Sequence, residues 1–377
     1  MTLPQLVLMV EPVWVLAAAT FVFLSYLLKM DFYFPWTGLA VAGIPFVLRR
    51  AWAGYLSRRT SFDLPIALLL GGALIGLWVS PDFSLSLGAF QSLLAVSLVY
   101  YSVVNYPRPA LLLKWALPLS ALALAVATLL ALSAGSVDSM YEEVFDSWPL
   151  TLAKELPQPP QLAFQPYFML KPVHGLAAVL SVAAAISLGI ALFSRRLWLR
   201  LLTALGCLLF ASAMFLLIEE SVERLFAWES IKHRIPLWQD TLDMLGERPI
   251  TGIGLGAWAV IRYGEMLVAS KAHPHNSYLE LYANAGILGV MALVIFGVIA
   301  LRLAWGILRA PRKHPWYGFG AGVILAIAIT AVVGLIESAP AGIVLTGIDS
   351  YYYVISPLPW VLAIFLVLAH RLLTEHI

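Results

Sequence analysis

The chain has 377 residues, 61% hydrophobic and only 12% charged, with 23 Lys and Arg against 21 Asp and Glu. Soluble domains carry roughly 25% charged residues. Half that density cannot clothe a water-soluble fold of this size, and the mean hydropathy of +0.88 points to an all-α, polytopic integral membrane protein. A soluble dinucleotide-binding enzyme, a secreted disulfide scaffold and a disordered chain are excluded. So is a nucleic-acid partner, because the Lys/Arg cluster it needs is missing. Cys207 is the single cysteine, so no intrachain disulfide can form, and its apolar run marks it as a packing residue.

In chain order, the apolar runs predict about ten transmembrane helices: 6–28, 33–48, 64–80, 87–105, 113–134, 172–193, 198–218, 276–300, 317–336 and 353–370. Pro45 leaves the second short. Glu11-Pro12 and the lack of a preceding basic stretch argue against a cleavable signal. Ten spans place both termini on one side. With the termini in the cytoplasm, the short cytoplasmic turns collect most of the basic residues, including Arg49, Arg50, Arg58, Arg59, Arg195, Arg196, Arg302, Arg309, Arg312 and Lys313. The chain then divides into an N-terminal bundle (1–134), an extracytoplasmic loop (135–171), a transmembrane pair (172–218), a long extracytoplasmic loop (219–275) and a C-terminal bundle (276–377). The first loop starts acidic and turns proline-rich. The second is expected to hold one or two amphipathic helices and then a glycine-rich turn. Loops this long are uncommon unless functional.

The span centres are almost free of ionisable groups, which disfavours an ion-coupled transporter. Glu280 and Glu337 fall near outer span ends and Glu11 near a terminus, leaving the outer face as the polar workplace. Lys171 and His174 stand at the outer entry of the sixth span, where they either hold an anion or snorkel to the interface. Glu219, Glu220, Glu223 and Arg224 form a charged exit from the seventh.

The stretch 231–256 reads IKHRIPLWQDTLDMLGERPITGIGLG. Arg234 and Trp238 are four residues apart and share a helical face. Asp240, Asp243 and Glu247 follow, and Gly246 or Pro249 ends the helix. Lys232 and Arg234 read either as anion ligands or as the polar face of an interfacial helix. Gly252, Gly254 and Gly256 lack the context of a dinucleotide fingerprint; they serve a tight turn, or expose backbone amides to an anion.

The stretch 271–286 reads KAHPHNSYLELYANAG. Pro274 suits a first helical turn, and the amide ends opening the next span favour a phosphate. Lys271, Arg262 and Arg234 are basic candidates around it. His273 and His275 can act as base or acid, or simply hydrogen-bond at the interface. Two histidines with distant carboxylates are weak grounds for zinc, so no metal and no cofactor is expected. Asn276 and Glu280 lie one turn apart and can orient His275 or cap polar groups; Tyr278 lies between them. Tyr351, Tyr352 and Tyr353 read as an interfacial belt or a sugar contact.

RIPLWQDTLDMLGERPITGIGLGAW (234–258) followed by AHPHNSYLELYANAGILG (272–289) resembles the O-antigen ligase and polymerase superfamily of bacterial surface-polysaccharide assembly. The two motifs cover about 45 residues, and the many-span layout extends a weaker likeness over the rest. The resemblance implies a glycosyltransferase of the bacterial inner membrane with its site on the periplasmic face. It implies an undecaprenyl-diphosphate-linked glycan donor and a sugar-hydroxyl acceptor on lipid A–core or another glycan, with no nucleotide sugar and no metal. It implies that Arg234 contacts the donor diphosphate and that His275 is the general base or organises the acceptor hydroxyl. Asn276 and Tyr278 would shape the site, and Gly252, Gly254 and Gly256 would form its turn. Members often carry a Ser-Arg-Gly-like segment two spans before the long loop. Here LKPVHGLAA (170–178) stands there, so Lys171 or His174 would replace the arginine, or its role would pass to Arg224 or Lys232. The competing readings are a repeat-unit polymerase, a lipid or polysaccharide transporter, and a non-catalytic membrane assembly protein.

Overall fold

The computed structural model describes residues 3–27, 30, 33–122, 124, 126, 173–226, 228–263, 273–337, 342–347 and 350–374. The helices are α1 (Leu3–Leu27), α2 (Tyr33–Ala53), α3 (Asp63–Val79), α4 (Phe83–Val104), α5 (Pro109–Leu122), α6 (Val173–Phe193), α7 (Leu197–Phe226), α8 (Trp228–Glu247), α9 (Trp258–Tyr263), α10 (Ser277–Arg309), α11 (Tyr317–Val333) and α12 (Leu358–Thr374). An antiparallel hairpin, β1 (Gly342–Gly347) and β2 (Ser350–Ile355), precedes α12. The described residues are otherwise all-α.

Helices lie in all ten of the stretches marked by hydropathy, but the expectation of ten spans is overturned. Among the described residues only three helical segments are long and apolar enough to cross a membrane: Met9–Tyr26, Phe83–Val104 and Ser277–Arg309. For three of the ten the physical reason is helix length. Hydropathy runs on through caps and turns, whereas α3, α11 and α12 are each 17 residues long, about 26 Å against a hydrocarbon core of about 30 Å. The last expected span fails at its start, where Tyr351–Tyr353 belong to β2. The long outer loop expected over 219–275 is also corrected. Glu219–Arg224 continue α7 as helix, Trp228–Glu247 form α8, and Trp258–Tyr263 form α9. The loop expected over 135–171 lies outside the described residues. The result is a largely helical membrane protein with a few apolar spans.

Local chemistry sets the helix ends. Asp82 caps α4 by accepting a hydrogen bond from the Leu85 amide at 3.0 Å, and Pro311 follows the end of α10, where it cannot continue a helix. The main core stacks Phe62 on Phe296 with ring centroids 4.6 Å apart and sets Tyr100 edge-on to Trp360, joining the loop before α3 to α4, α10 and α12. Helix α3 packs along the first half of α10.

A break in α10 positions the glycine turn against it. At Gly286 the backbone leaves helical geometry, with φ 60° and ψ −153°. Ala283 and Ile287 would bond each other across an unbroken turn. Here the Ala283 carbonyl accepts from the Ile253 amide at 2.8 Å, and the Ile287 amide donates to the Ile250 carbonyl at 3.0 Å. The glycine turn 250–256 is thus wedged into the ladder of α10. Gly252 has φ 72°, and a Cβ there would lie 2.9 Å from both the Gly286 nitrogen and the Tyr282 carbonyl oxygen. Replacing Gly252 or Gly286 by Ala therefore combines a left-handed φ with a backbone collision. The expected cost is about 1–3 kcal/mol or more, seen as a lower unfolding temperature in detergent than for Gly43→Ala, where a Cβ meets open space.

Candidate active site

Arg234 projects from α8 on the face that also buries Thr241 and Leu245. It is buried, 7% exposed. Burial pulls its pKa below the usual guanidinium value, and the charge of Glu337 opposes that pull. The charge stays on in either case, because arginine does not deprotonate in proteins. Glu337, in the segment after α11, is itself only 4% exposed.

Glu337 also faces His275, with Oε1 3.4 Å from the histidine Nδ1. His275 has φ 53° and is the one non-glycine residue in the left-handed region among those described. Such strain persists where the surroundings fix it, and here the neighbours do so. Asn276, the next residue, caps α10: its Oδ1 accepts from the amides of Tyr278 and Leu279, each at 3.0 Å. Its Nδ2 donates to the Leu335 carbonyl at 3.0 Å. The Ser277 amide donates to the Gly334 carbonyl at 2.8 Å, and the Ser277 hydroxyl to the Glu337 carbonyl at 2.8 Å. The start of α10 is therefore stitched to the segment carrying Glu337. The His273 ring lies 4.3 Å from that of His275, centroid to centroid. Side-chain ligand atoms of His273, His275 and Glu337 all fall within 4.8 Å of one another.

Of the residues singled out from sequence, the structure gathers Arg234, His273, His275 and Asn276 around Glu337. Tyr278 donates its hydroxyl to the Ala331 carbonyl at 2.6 Å, and Glu280 is buried in the first turn of α10, where a negative charge suits the helix dipole. Gly252, Gly254 and Gly256 form a docking turn. The amides of Ile253, Leu255 and Gly256 are taken by Ala283 O, Gly76 O and Asn284 Oδ1. Arg262 is ion-paired to Asp240 and lies over the Trp258 ring, whose Nε1 donates to Thr241 at 2.8 Å; it ties α9 to α8. Lys232 is exposed on α8. His174 and Arg224 are fixed only as helical positions in α6 and α7. Lys171 and Lys271 lie outside the described residues.

Sequence reasoning missed Glu337 as a site residue. The signal was present: it is one of the few acids close to an apolar run, and only the fold reveals which side chains it meets.

Below the cluster, an apolar cavity of about 610 Å³ opens beside Ser277 and Tyr278 and runs between helices to Phe62, Phe296 and Trp360.

The family described as O-antigen ligase matches the chain over residues 174–294, about a third of its length. The match includes Arg234, the glycine turn and His275, and ends before Glu337. No curated protein matches the chain. No solved structure matches it.

The Asn276 stitch has a direct check. Asn276→Ala should cost about 0.5–2 kcal/mol through the lost cap and speed hydrogen exchange at the Tyr278 and Leu279 amides. Asn276→Asp should keep those amides protected while losing the link to Leu335.

Proposed function

We propose that this protein transfers a glycan from an undecaprenyl-diphosphate-linked donor to a sugar hydroxyl, as an O-antigen ligase does. The observation that carries the reading is the contact of His275 Nδ1 with the buried Glu337 carboxylate at 3.4 Å, with the charge of Arg234 acting on the same carboxylate, within motifs matched by an enzyme family.

In this reading His275 takes the acceptor proton on Nε2 while Glu337 faces Nδ1. A carboxylate there selects the tautomer with the proton on Nδ1, leaves Nε2 as the acceptor, and stabilises the imidazolium once the proton arrives. The acceptor oxygen bonds to the anomeric carbon as the bond from that carbon to the diphosphate oxygen breaks. Undecaprenyl diphosphate leaves with the bonding pair. Arg234 stabilises the charge that develops on it; a guanidinium offers five donors in a planar fork, enough to serve a carboxylate and a diphosphate together. A single displacement inverts the anomeric centre, and trapping a covalent glycosyl-enzyme would refute this step. The apolar cavity beside Tyr278 accommodates part of the prenyl chain. The acceptor is lipid A–core or another glycan.

The charges on α10 support an extracytoplasmic site. The helix begins at the cluster and ends among Arg302, Arg309, Arg312 and Lys313. Its 33 residues span about 50 Å, enough to put the two ends on opposite sides of a bilayer. Basic ends stay in the cytoplasm, so the histidine end faces outward.

Three experiments test the reading. In purified protein given lipid-linked glycan, His275→Ala should lower turnover roughly 10²–10⁴-fold and Arg234→Ala roughly 10²–10³-fold. Arg234→Lys should recover little, because a point charge replaces a fork, and Glu337→Gln should slow turnover less than His275→Ala. In a deletion strain, accumulated lipid-linked polymer marks a ligase and accumulated single repeat units mark a polymerase; full complementation by both the His275 and Arg234 alanine variants would sink the enzymatic reading. For sidedness, a cysteine at exposed Glu247, in a chain with Cys207→Ala, should react with a membrane-impermeant maleimide in intact spheroplasts.

A further inference from the structure

We infer that His273, His275 and Glu337 form a binding site for a divalent late-transition-metal ion of the zinc class, and that occupancy of this site switches the histidine off as a base. The inference concerns metal binding and stands whether or not the chain transfers glycans.

Two imidazoles and one carboxylate are a recurrent three-ligand set for zinc, with the fourth position open to water or substrate. Imidazole also suits cobalt, nickel and copper, whereas magnesium and calcium prefer oxygen donors. The spacing fits. Ligands at about 2.0–2.1 Å from a tetrahedral ion lie roughly 3.3 Å from one another. His275 Nδ1 and Glu337 Oε1 are already 3.4 Å apart, and the full set of donor atoms lies within 4.8 Å of one another.

Two of the three ligands are held in place beforehand. His275 is fixed in its left-handed conformation between Pro274 and the Asn276 cap, and the Glu337 backbone is anchored by the Ser277 hydroxyl. Such preorganisation favours binding, since less order has to be imposed when the ion arrives. The carboxylate favours it as well, because its negative charge attracts a dication. Arg234 is the opposing term. Its guanidinium interacts with Glu337 and makes the site weaker than an isolated triad would be.

The consequence follows from the two nitrogens of imidazole. Coordination through Nδ1 leaves the His275 proton on Nε2, so no lone pair faces the acceptor hydroxyl.

The test uses purified, tag-free full-length protein in detergent, stripped with a chelator and titrated with Co²⁺ by visible absorption and with Zn²⁺ by calorimetry. Expected is one saturable equivalent per chain, with tetrahedral Co²⁺ bands that Zn²⁺ displaces. His273→Gln and Glu337→Gln should each weaken binding at least about tenfold while leaving the circular dichroism and elution volume of the folded protein unchanged. If one variant fails to fold, the other decides. Absence of saturable Co²⁺ uptake by the unsubstituted protein, or uptake unaltered in the folded variants, would overturn the inference. No donor substrate is present, so an inactive protein that binds Co²⁺ refutes only the transferase reading, and an active protein that does not bind it refutes only the metal site. Where both hold, Zn²⁺ should inhibit turnover and a chelator should restore it.

Discussion

A carboxylate almost sealed from solvent has to be compensated, and the compensation of Glu337 organises this end of the molecule. An unpaired buried charge costs several kcal/mol. Glu337 meets that cost with Arg234 on α8 and His275 at the head of α10. Each comes from a different stretch of chain, so the pairing can form only when α8, α10 and the segment after α11 are all in place. Three hydrogen bonds from Asn276 and Ser277 to Leu335, Gly334 and Glu337 hold two of those stretches in register. The third is held by the glycine turn.

That turn gives a physical reason for two motifs to occur together. Residues 250–256 fill the gap that Gly286 opens in α10, taking up a carbonyl and an amide that an unbroken helix would pair internally. The same chain segment follows directly on α8, so wedging it into α10 fixes the end of the helix that carries Arg234. The alternation of glycines is a packing requirement, set by backbone contacts too close for a Cβ. Its contribution to the site is indirect: it sets the spacing between a guanidinium and an imidazole that lie 41 residues apart in sequence.

The sequence was informative where chemistry is local. The helix ending near Gly246 follows from short-range rules, whereas the start of α10 does not: Pro274 suits a first helical turn, yet the helix opens at Ser277 under the Asn276 cap. The span count did not follow, because hydropathy measures apolar content and cannot see where a helix stops; Tyr351–Tyr353 look like the start of an apolar run and instead pair as strand. Arg49 reads from sequence as a cytoplasmic surface charge, whereas it is buried against Glu11 at 3.2 Å, with both side chains at most 2% exposed. A charge that has found a partner inside the fold no longer reports on the side of the membrane. Glu337 escaped notice for a related reason: an acid near a span end looks like an interfacial residue until the fold shows that two cationic or protonatable groups face it.

The charge balance of the cluster bears on both of the roles assigned to it. With His275 neutral, Arg234 and Glu337 sum to zero, so the resting site carries no net charge to be buried. If His275 takes a proton the site becomes singly positive, and in the proposed transfer this would happen as negative charge builds on the departing diphosphate. Opposite charges then appear together within one water-poor pocket, where their attraction is stronger than in bulk water. A dication captured by His273, His275 and Glu337 meets the same pocket without any accompanying anion. Its excess charge and the repulsion from Arg234 make that state weaker in the absence of substrate phosphate, and more favourable when a phosphate oxygen fills the open ligand position. The same arrangement that would let a histidine accept a proton from a substrate in the proposed reaction would thus limit how tightly a metal ion can displace that proton.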